Sequence, residues 1–148
     1  MVISSVGFTG GGIMKPVILI GAGCPQSLAD KLCDLEIPIL TTWQGIDRVP
    51  EDSPVFCGRP GTIGGRAANI IQQKATALWV FGARLDTEQV GYRMDNFAPN
   101  AQKFIFDVDL AELDKLPLEW QKNYYNLNDD DLMLPPAGNP HWLKWCKE

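Results

Sequence analysis

Small residues that could bind a phosphate directly follow the first apolar run of the sequence. Gly21-Ala22-Gly23 lies between the strand-length run Pro16–Ile20 and a segment with helical periodicity. Small residues let the backbone approach a phosphate at a helix N-terminus. A standard NAD site is disfavoured, because Gln26 replaces the third glycine of the dinucleotide fingerprint and Thr41-Thr42 replaces the ribose-binding acidic residue. The alternative is a tight strand-to-helix turn that binds no ligand.

Three further segments contain residues suited to ligand binding, each after an apolar run or before a helical pattern. They are the loop 58–65 with Gly58, Arg59 and Gly61, the segment Gly82-Ala83-Arg84 with Asp86, and Asp107-Val108-Asp109. Arg84 has two interpretations. It contacts an anionic ligand, or it forms a salt bridge to Asp86 or Asp109 that only fixes loops.

The cysteines and the histidine do not form a recognisable metal or nucleophile motif. Cys24, Cys33, Cys57 and Cys146 include no C-x-x-C pair, and the one histidine is His141. A tetrahedral zinc site needs closely spaced ligands, so zinc is disfavoured, as is a Cys–His nucleophilic pair. Four reduced thiols are expected.

The elements that must position these residues alternate between strand and helix. Apolar runs predict strands, and stripes of apolar residues predict helices, with Ser27 as the expected N-cap of the first helix. The strands are Pro16–Ile20, Ile37–Thr41, Ala77–Phe81 and Phe104–Val108, and the helices are Ser27–Leu35, Gly64–Lys74 and Ala111–Leu116. Continuous apolar strands separated by helices predict a doubly wound, Rossmann-like α/β domain with a mostly parallel sheet and helices on both faces. Ligands of such domains bind at the carboxyl ends of the strands.

Composition limits the class of protein. The 148 residues carry 13 Lys+Arg against 18 Asp+Glu, a net charge of −5, which argues against a general nucleic-acid binder. No apolar run approaches the length of a membrane span and no leader pattern opens the chain, so we expect a cytoplasmic protein. We expect an arm or linker at 1–14, a domain at 15–125, and a linker with a Trp-bearing tail at 126–148.

The residues of the domain resemble one enzyme family in several separated motifs. The runs PVILIGAG, IPILTTWQGIDRVPEDSPVFCGRPGTIGGRAANIIQQKA, GARLD and FDVDLAELDKL are similar to the central domain of thiamine-diphosphate-dependent enzymes, above all acetolactate synthases. The resemblance covers residues 15–117. It implies a domain with a six-stranded parallel sheet that lies between two catalytic domains. In different members this domain binds FAD, binds an ADP portion, or binds nothing.

The resemblance also implies a set of ligand contacts and a limit on catalysis. Flavin-binding members often carry a Met-His pair where this chain has Arg59-Pro60, which favours adenine nucleotide over flavin. In complete members, a glutamate of the first domain activates thiamine diphosphate, and a GDG-type segment of the third domain holds its diphosphate through Mg²⁺. This chain contains no GDG, so by itself it is expected to be non-catalytic. The implied cofactor contacts are Gly21, Ala22, Gly23, Thr41, Thr42, Gly58, Arg59, Gly61, Gly82, Ala83, Arg84, Asp86, Asp107, Val108 and Asp109.

Three functional interpretations stay open. The preferred one is an isolated central domain that self-associates as a dimer or higher oligomer, or pairs with other domains of such an enzyme. The second is a stand-alone protein that binds adenine nucleotide or FAD. The third is an interaction module, in which exposed aromatic residues would anchor a partner. The candidate anchors are Trp43, Trp120, Trp142 and Trp145, whose alternative role is core or linker packing.

Overall fold

Within the residues that the structure describes, five parallel strands form one sheet. The computed structural model describes residues 14–61, 64–85, 89, 94–124, 135 and 139–148. The order across the sheet is β2-β1-β3-β4-β5, and each neighbouring pair is parallel. The strands are β1 (Pro16–Ile20), β2 (Ile39–Thr41), β3 (Ala77–Phe81), β4 (Gln102–Asp107) and β5 (Gln121–Tyr124). The prediction of a doubly wound parallel α/β fold is therefore confirmed.

A short segment beside β2 occupies the position of a further strand. Ile39 N–H donates to Val55 O at 2.8 Å, and Cys57 N–H donates to Ile39 O at 2.8 Å. Ile39 and Phe56 form an isolated parallel bridge. The resemblance implies six strands, whereas the described residues form five strands plus this single bridge in segment 55–58.

The described helices connect the strands and follow the last of them. They are α1 (Gln26–Leu32), α2 (Arg66–Lys74), α3 (Leu110–Asp114) and α4 (Pro140–Lys147), with 3-10 turns at Cys33–Leu35 and Met94–Asn96. The predicted first helix, Ser27–Leu35, thus corresponds to α1 and the 3-10 turn that follows it.

The prediction that Ser27 caps the first helix is wrong. α1 begins at Gln26, and its N-cap is Pro25, which has extended backbone and no side-chain capping bond. Pro25 O accepts from Leu28 N–H at 3.1 Å and from Ala29 N–H at 3.0 Å. Because proline holds φ near the value needed here, the backbone alone closes the first turn.

Both faces of the sheet are covered by helices. Successive strand residues point to opposite faces, so Val17 of β1 belongs to one core cluster and Ile18 to the other. α1 packs on the face of Ile18, whereas α2 and α3 pack on the face of Val17. The rings of Trp79 and Phe104, on adjacent strands, stack with centroids 4.8 Å apart. The buried sheet therefore leaves its strand ends as the accessible positions for ligands.

α4 docks on the amino end of β1. Asn139 is its N-cap and accepts from His141 N–H at 3.1 Å and from Trp142 N–H at 3.3 Å. The Asn139 side chain also donates to Met14 O at 3.1 Å. Trp142 is 5% exposed, and its Nε1–H donates to Pro16 O at 2.9 Å. The C-terminal residues from 139 on thus pack as a helix against the domain.

Some predicted segments lie outside the described residues. These are residues 1–13 of the arm 1–14, Asp86, and most of the linker between 126 and 138. No helix in the part of the chain that the structure describes is long and apolar enough to cross a membrane.

Candidate functional site

A cleft of about 370 Å³ lies where the strands reach their carboxyl ends. The chain passes from β1 to β2 on one side and then to β3 on the other side of β1, so strand order reverses between β1 and β3. Open α/β sheets bind their ligands at this point of reversal. The residues that line the cleft are Ala22, Gly23, Thr42, Trp43, Gln44, Gly61, Gly82, Arg84, Gln89, Asp107, Asp109 and Glu112.

The structure brings together about half of the residues named from the sequence. The named residues that line the cleft are Ala22, Gly23, Thr42, Gly61, Gly82, Arg84, Asp107 and Asp109. The named residues that do not line it are Gly21, Thr41, Gly58, Arg59, Ala83 and Val108. Asp86 is outside the described residues.

The turns after β1 and β3 touch backbone to backbone. A Cβ placed on Gly21 would clash with Ala83 Cα and Gly82 O, and one on Gly82 would clash with Cys24 N. Gly82 also has φ of +64°, which favours glycine. These glycines are therefore required by the close approach of the two turns, whether or not a ligand binds.

The backbone donors of the first turn are already used inside the protein. Gly21 N–H donates to Phe81 O at 3.0 Å, and Gly23 N–H donates to Gly82 O at 3.0 Å. Arg48 completes the turn, because its guanidinium donates to Cys24 O at 2.8 Å and to Ala22 O at 3.0 Å. Arg48 was not among the residues predicted to shape this turn. A phosphate at this turn would thus find fewer free N–H groups than the glycine pattern predicts.

The two threonines after β2 have different environments. Thr41 is fully buried, and its hydroxyl has no hydrogen-bond partner among the described residues. The Thr42 hydroxyl accepts from Gly45 N–H at 3.1 Å, and Thr42 N–H donates to Ile20 O at 3.0 Å. Thr42 therefore shapes the cleft wall, whereas Thr41 lies inside the core.

Arg59 stands apart from the cleft lining. Its side chain is 14% exposed, and the guanidinium lies 5.4 Å from the ring centroid of Trp43 and 5.3 Å from that of Phe56. The Arg59 Nη2 also donates to Glu51 Oε1 at 2.9 Å. These contacts position the loop 58–65. In that loop this chain has Arg59-Pro60 where the resemblance implies a Met-His pair for flavin-binding members.

The far wall of the cleft is acidic. The Asp107 carboxylate accepts from Asp109 N–H at 2.9 Å, and the Asp109 carboxylate caps α3 by accepting from Ala111 N–H at 2.9 Å. Burial raises the pKa of Asp107, although the bond from Asp109 N–H opposes that rise. Both carboxylates are thus oriented by backbone donors.

Among the described residues that line the cleft, Arg84 has the positively charged side chain. Its Nε lies 3.7 Å from Glu112 Oε1, and Glu112 also accepts from Lys115 Nζ at 2.9 Å. Arg84 is 64% exposed, so this pair contributes little to stability. From the sequence, Arg84 was predicted either to contact an anionic ligand or to form a salt bridge to Asp86 or Asp109. In the described residues its partner is Glu112 of α3, one helical turn after Asp109.

The arrangement suits binding more than covalent chemistry. The described lining contains carboxylates, amides, one hydroxyl and one guanidinium, and no thiol or imidazole. The described residues contain no group of three or more His, Cys, Asp or Glu that could hold a metal ion. Ordered carboxylates accept hydroxyl or amino hydrogens, and an exposed guanidinium can bind phosphate.

Four lining residues were not among the predicted cofactor contacts, although Trp43 was named as a candidate partner anchor: Trp43, Gln44, Gln89 and Glu112. Trp43 and Gln44 directly follow the predicted strand-end threonines, so extending the segment by two residues would have found them. Glu112 is the i+3 residue from the N-cap Asp109 and faces the same edge, a spacing that helix geometry provides. Gln89 carries no such signal.

Comparisons with known proteins agree on one kind of domain. The family model described as "Thiamine pyrophosphate enzyme, central domain" matches residues 13–120. The large subunit of acetolactate synthase isozyme 2 from Escherichia coli (strain K12) is 29% identical over 143 residues, covering 90% of this chain and 25% of that protein. The isozyme 1 large subunit of the same organism is 32% identical over 105 residues, 69% of this chain and 18% of that protein. Acetolactate synthase 2, chloroplastic, from Zea mays is 34% identical over 105 residues, 68% of this chain and 16% of that protein. The chain therefore spans a quarter or less of the length of these relatives.

Proposed function

The chain belongs to the family of thiamine pyrophosphate enzyme central domains, and from that premise we propose that it is the scaffold domain of an acetolactate synthase-type enzyme. In this role it binds other domains of such an enzyme and has no catalytic activity by itself. The match to a central domain over most of the chain supports this role. The four free thiols suit a reducing compartment such as the cytoplasm.

We further propose that the cleft at the strand ends binds an adenine nucleotide. The cleft lies at the reversal of strand order, with ordered carboxylates on one wall and Arg84 in its lining, and this position supports nucleotide binding. Asp107 and Asp109 would accept hydrogens from ribose hydroxyls, and Arg84 would exchange Glu112 for a phosphate. The volume of about 370 Å³ falls within the usual range of small-molecule sites.

Flavin fits the described residues less well than adenine nucleotide does. The loop that carries Arg59 is already closed by the stack of Trp43, Arg59 and Phe56. A flavin ring inserted there would have to displace a cation that contacts the rings of Trp43 and Phe56 and is paired with Glu51. We therefore expect the purified protein to be colourless.

Thiamine diphosphate supplies the carbanion chemistry of complete family members, with Mg²⁺ anchoring its diphosphate. The cleft residues do not fit this group, since the described part of the chain lacks a cluster of metal-binding side chains. We assign this chain no step of that reaction. Its contribution to a complete enzyme is to orient the neighbouring domains.

Calorimetric titration tests the nucleotide site directly. ADP and FAD are titrated into the wild-type chain, Arg84→Ala and Arg66→Ala. Arg66 is the matched control, because it is an arginine of α2 exposed away from the cleft. Loss of a charge-assisted bond of about 2 kcal/mol predicts at least tenfold weaker ADP binding by Arg84→Ala alone. Absence of heat from ADP, FAD and coenzyme A at millimolar concentration would leave the cleft as a packing feature.

A turnover assay tests the proposed lack of catalysis. Purified protein is given pyruvate, thiamine diphosphate and Mg²⁺, and acetolactate and acetaldehyde are measured. We expect neither product. Slow but saturable turnover would contradict the scaffold assignment, whereas activity that appears only on adding other domains of the enzyme would support it.

Self-association is a second candidate function, favoured by apolar residues left exposed beside the cleft. Val108 and Leu110 are exposed after β4, and Trp43, which lines the cleft, is 52% exposed. Such residues bind a second copy or another domain when they form one patch. Light scattering at rising concentration would report a dimer or higher oligomer, and a constant monomer mass would argue against this candidate.

A further inference from the structure

Two thiols meet where α4 crosses the edge of the sheet. Cys57 lies in segment 55–58 beside β2, and Cys146 lies in the last turn of α4. Both side chains are half-buried and pack against the same core cluster. The two thiols are close enough for each to shift the pKa of the other, while Cys57 Sγ donates to Val55 O at 3.4 Å. The residues are distant in sequence, so only the fold brings their sulfur atoms together.

Independent contacts hold α4 at this edge. Lys147, next to Cys146, donates from Nζ to Phe56 O at 2.8 Å, and Phe56 is next to Cys57. At the other end of α4, Trp142 donates to Pro16 O at 2.9 Å. The helix is thus fixed at both ends, which keeps Cys146 on the same side of the domain as Cys57.

We propose that Cys57 and Cys146 form a reversible disulfide that fixes α4 over the edge of the sheet. An uncovered edge offers unpaired backbone groups to other chains. α4 covers the edge carbonyl of Phe56, so the disulfide would control whether this edge can open.

The reaction is thiol–disulfide exchange with a small-molecule disulfide such as oxidised glutathione. The Cys57 thiolate attacks one sulfur of glutathione disulfide, which breaks the S–S bond and releases one glutathione thiolate. Cys146 loses its proton to solvent and attacks the mixed disulfide at the Cys57 sulfur, releasing the second glutathione. Two protein thiols are oxidised to one disulfide, and one glutathione disulfide is reduced to two thiols.

The electrostatic environment suits these two roles. The hydrogen bond from Cys146 lowers the pKa of Cys57, and the charge of Lys147 lowers it further. The same hydrogen bond and burial raise the pKa of Cys146. A thiolate is the attacking species in exchange, so Cys57 is suited to react first and Cys146 to resolve the intermediate.

The other two cysteines provide internal controls. Cys24 is 1% exposed, and burial raises its pKa to about 12. Cys33 is half-buried like the proposed pair, but burial and Asp30 raise its pKa. Neither is expected to react at the rate of Cys57.

Disulfide mapping tests the proposal on the full chain. The native protein is incubated with a mixture of oxidised and reduced glutathione, free thiols are alkylated, and a digest without reductant is analysed by mass spectrometry. We expect one cross-linked peptide pair joining Cys57 to Cys146, with Cys24 and Cys33 alkylated. A different pairing, a persistent glutathione adduct on Cys57, or a pair that forms only in denaturant would overturn the proposal.

Thermal melts provide a second readout. A disulfide closing a loop of this size is expected to raise the melting temperature of the oxidised chain by about 10 °C over the dithiothreitol-treated chain. Cys33→Ser should keep this shift, and Cys146→Ser should lose it. If Cys146→Ser keeps the shift, or the wild-type chain lacks it although the cross-link has formed, α4 is not fixed by this disulfide.

Discussion

Replacing Trp142 tests whether the C-terminal helix is part of this domain. Trp142 is 5% exposed, and its indole donates to Pro16 O at 2.9 Å. Trp145, one turn later, stacks on it with ring centroids 5.2 Å apart but is 49% exposed. The two tryptophans share one short helix, so Trp145→Ala is a matched control for Trp142→Ala.

The expected magnitudes follow from burial and the hydrogen bond. Truncation of a buried tryptophan to alanine costs about 3–5 kcal/mol of the free energy of unfolding. Trp142→Phe keeps most of the apolar contact and loses the bond to Pro16 O, for a cost of about 1–2 kcal/mol. Trp145→Ala removes a half-exposed ring, so a cost of about 1 kcal/mol or less is expected. If α4 detaches from the domain in Trp142→Ala, the loss in free energy of unfolding cannot exceed the total contribution of α4 to stability.

Urea unfolding followed by circular dichroism measures these differences, at two protein concentrations tenfold apart. Docking on its own chain predicts midpoints that do not change with concentration. Docking on a neighbouring chain, as in a self-associated dimer, would raise the apparent stability by about 1.4 kcal/mol per tenfold concentration. Equal losses in Trp142→Ala and Trp145→Ala, or a midpoint that rises with concentration, would refute intramolecular docking.

Four further substitutions examine residues at the strand ends. Gly21→Ala should lower the free energy of unfolding by at least about 2 kcal/mol, because its Cβ would clash with the backbone of the turn after β3. A urea titration measures this loss, and an unchanged midpoint would contradict that packing. Thr41→Val should raise stability by up to about 1 kcal/mol, because it removes an unpartnered buried hydroxyl. Thr42→Val should lower stability by up to about 1 kcal/mol, because it removes the hydroxyl that accepts from Gly45 N–H, which keeps its bond to Thr42 O. The same sign for both would refute the assignment. Burial raises the pKa of Asp107, so its folded state favours the protonated acid, and stability falls as pH rises from the unfolded pKa through the folded one. Asp107→Asn should therefore be more stable than wild type at pH 7, with the difference shrinking below pH 4 in melts across a pH series, and a difference that grows on acidification would reverse the sign of the argument.

The sequence predicted the central strands well because burial alone specifies them. Ala77–Phe81 was predicted with the bounds that the structure has, since β3 lies between two strands and every residue in it is buried. β5 was missed, because Gln121-Lys122-Asn123-Tyr124 has no apolar run to mark it. β5 lies at the edge of the sheet, where one neighbour supplies the pairing and polar residues are tolerated.

The candidate site was harder to predict, because a glycine pattern can arise from close backbone packing alone as well as from ligand binding. Gly21 and Gly82 are required where two turns meet without room for a Cβ, and a phosphate-binding turn demands the same residues. Only the bonds distinguish the two cases: Gly23 N–H donates to Gly82 O, and Arg48 holds the carbonyls of the same turn. Neither contact can be derived from spacing, since each joins residues that are distant in sequence. Any ligand of this cleft therefore depends more on the side chains of Arg84 and Asp107 than on the glycine turn that first suggested it.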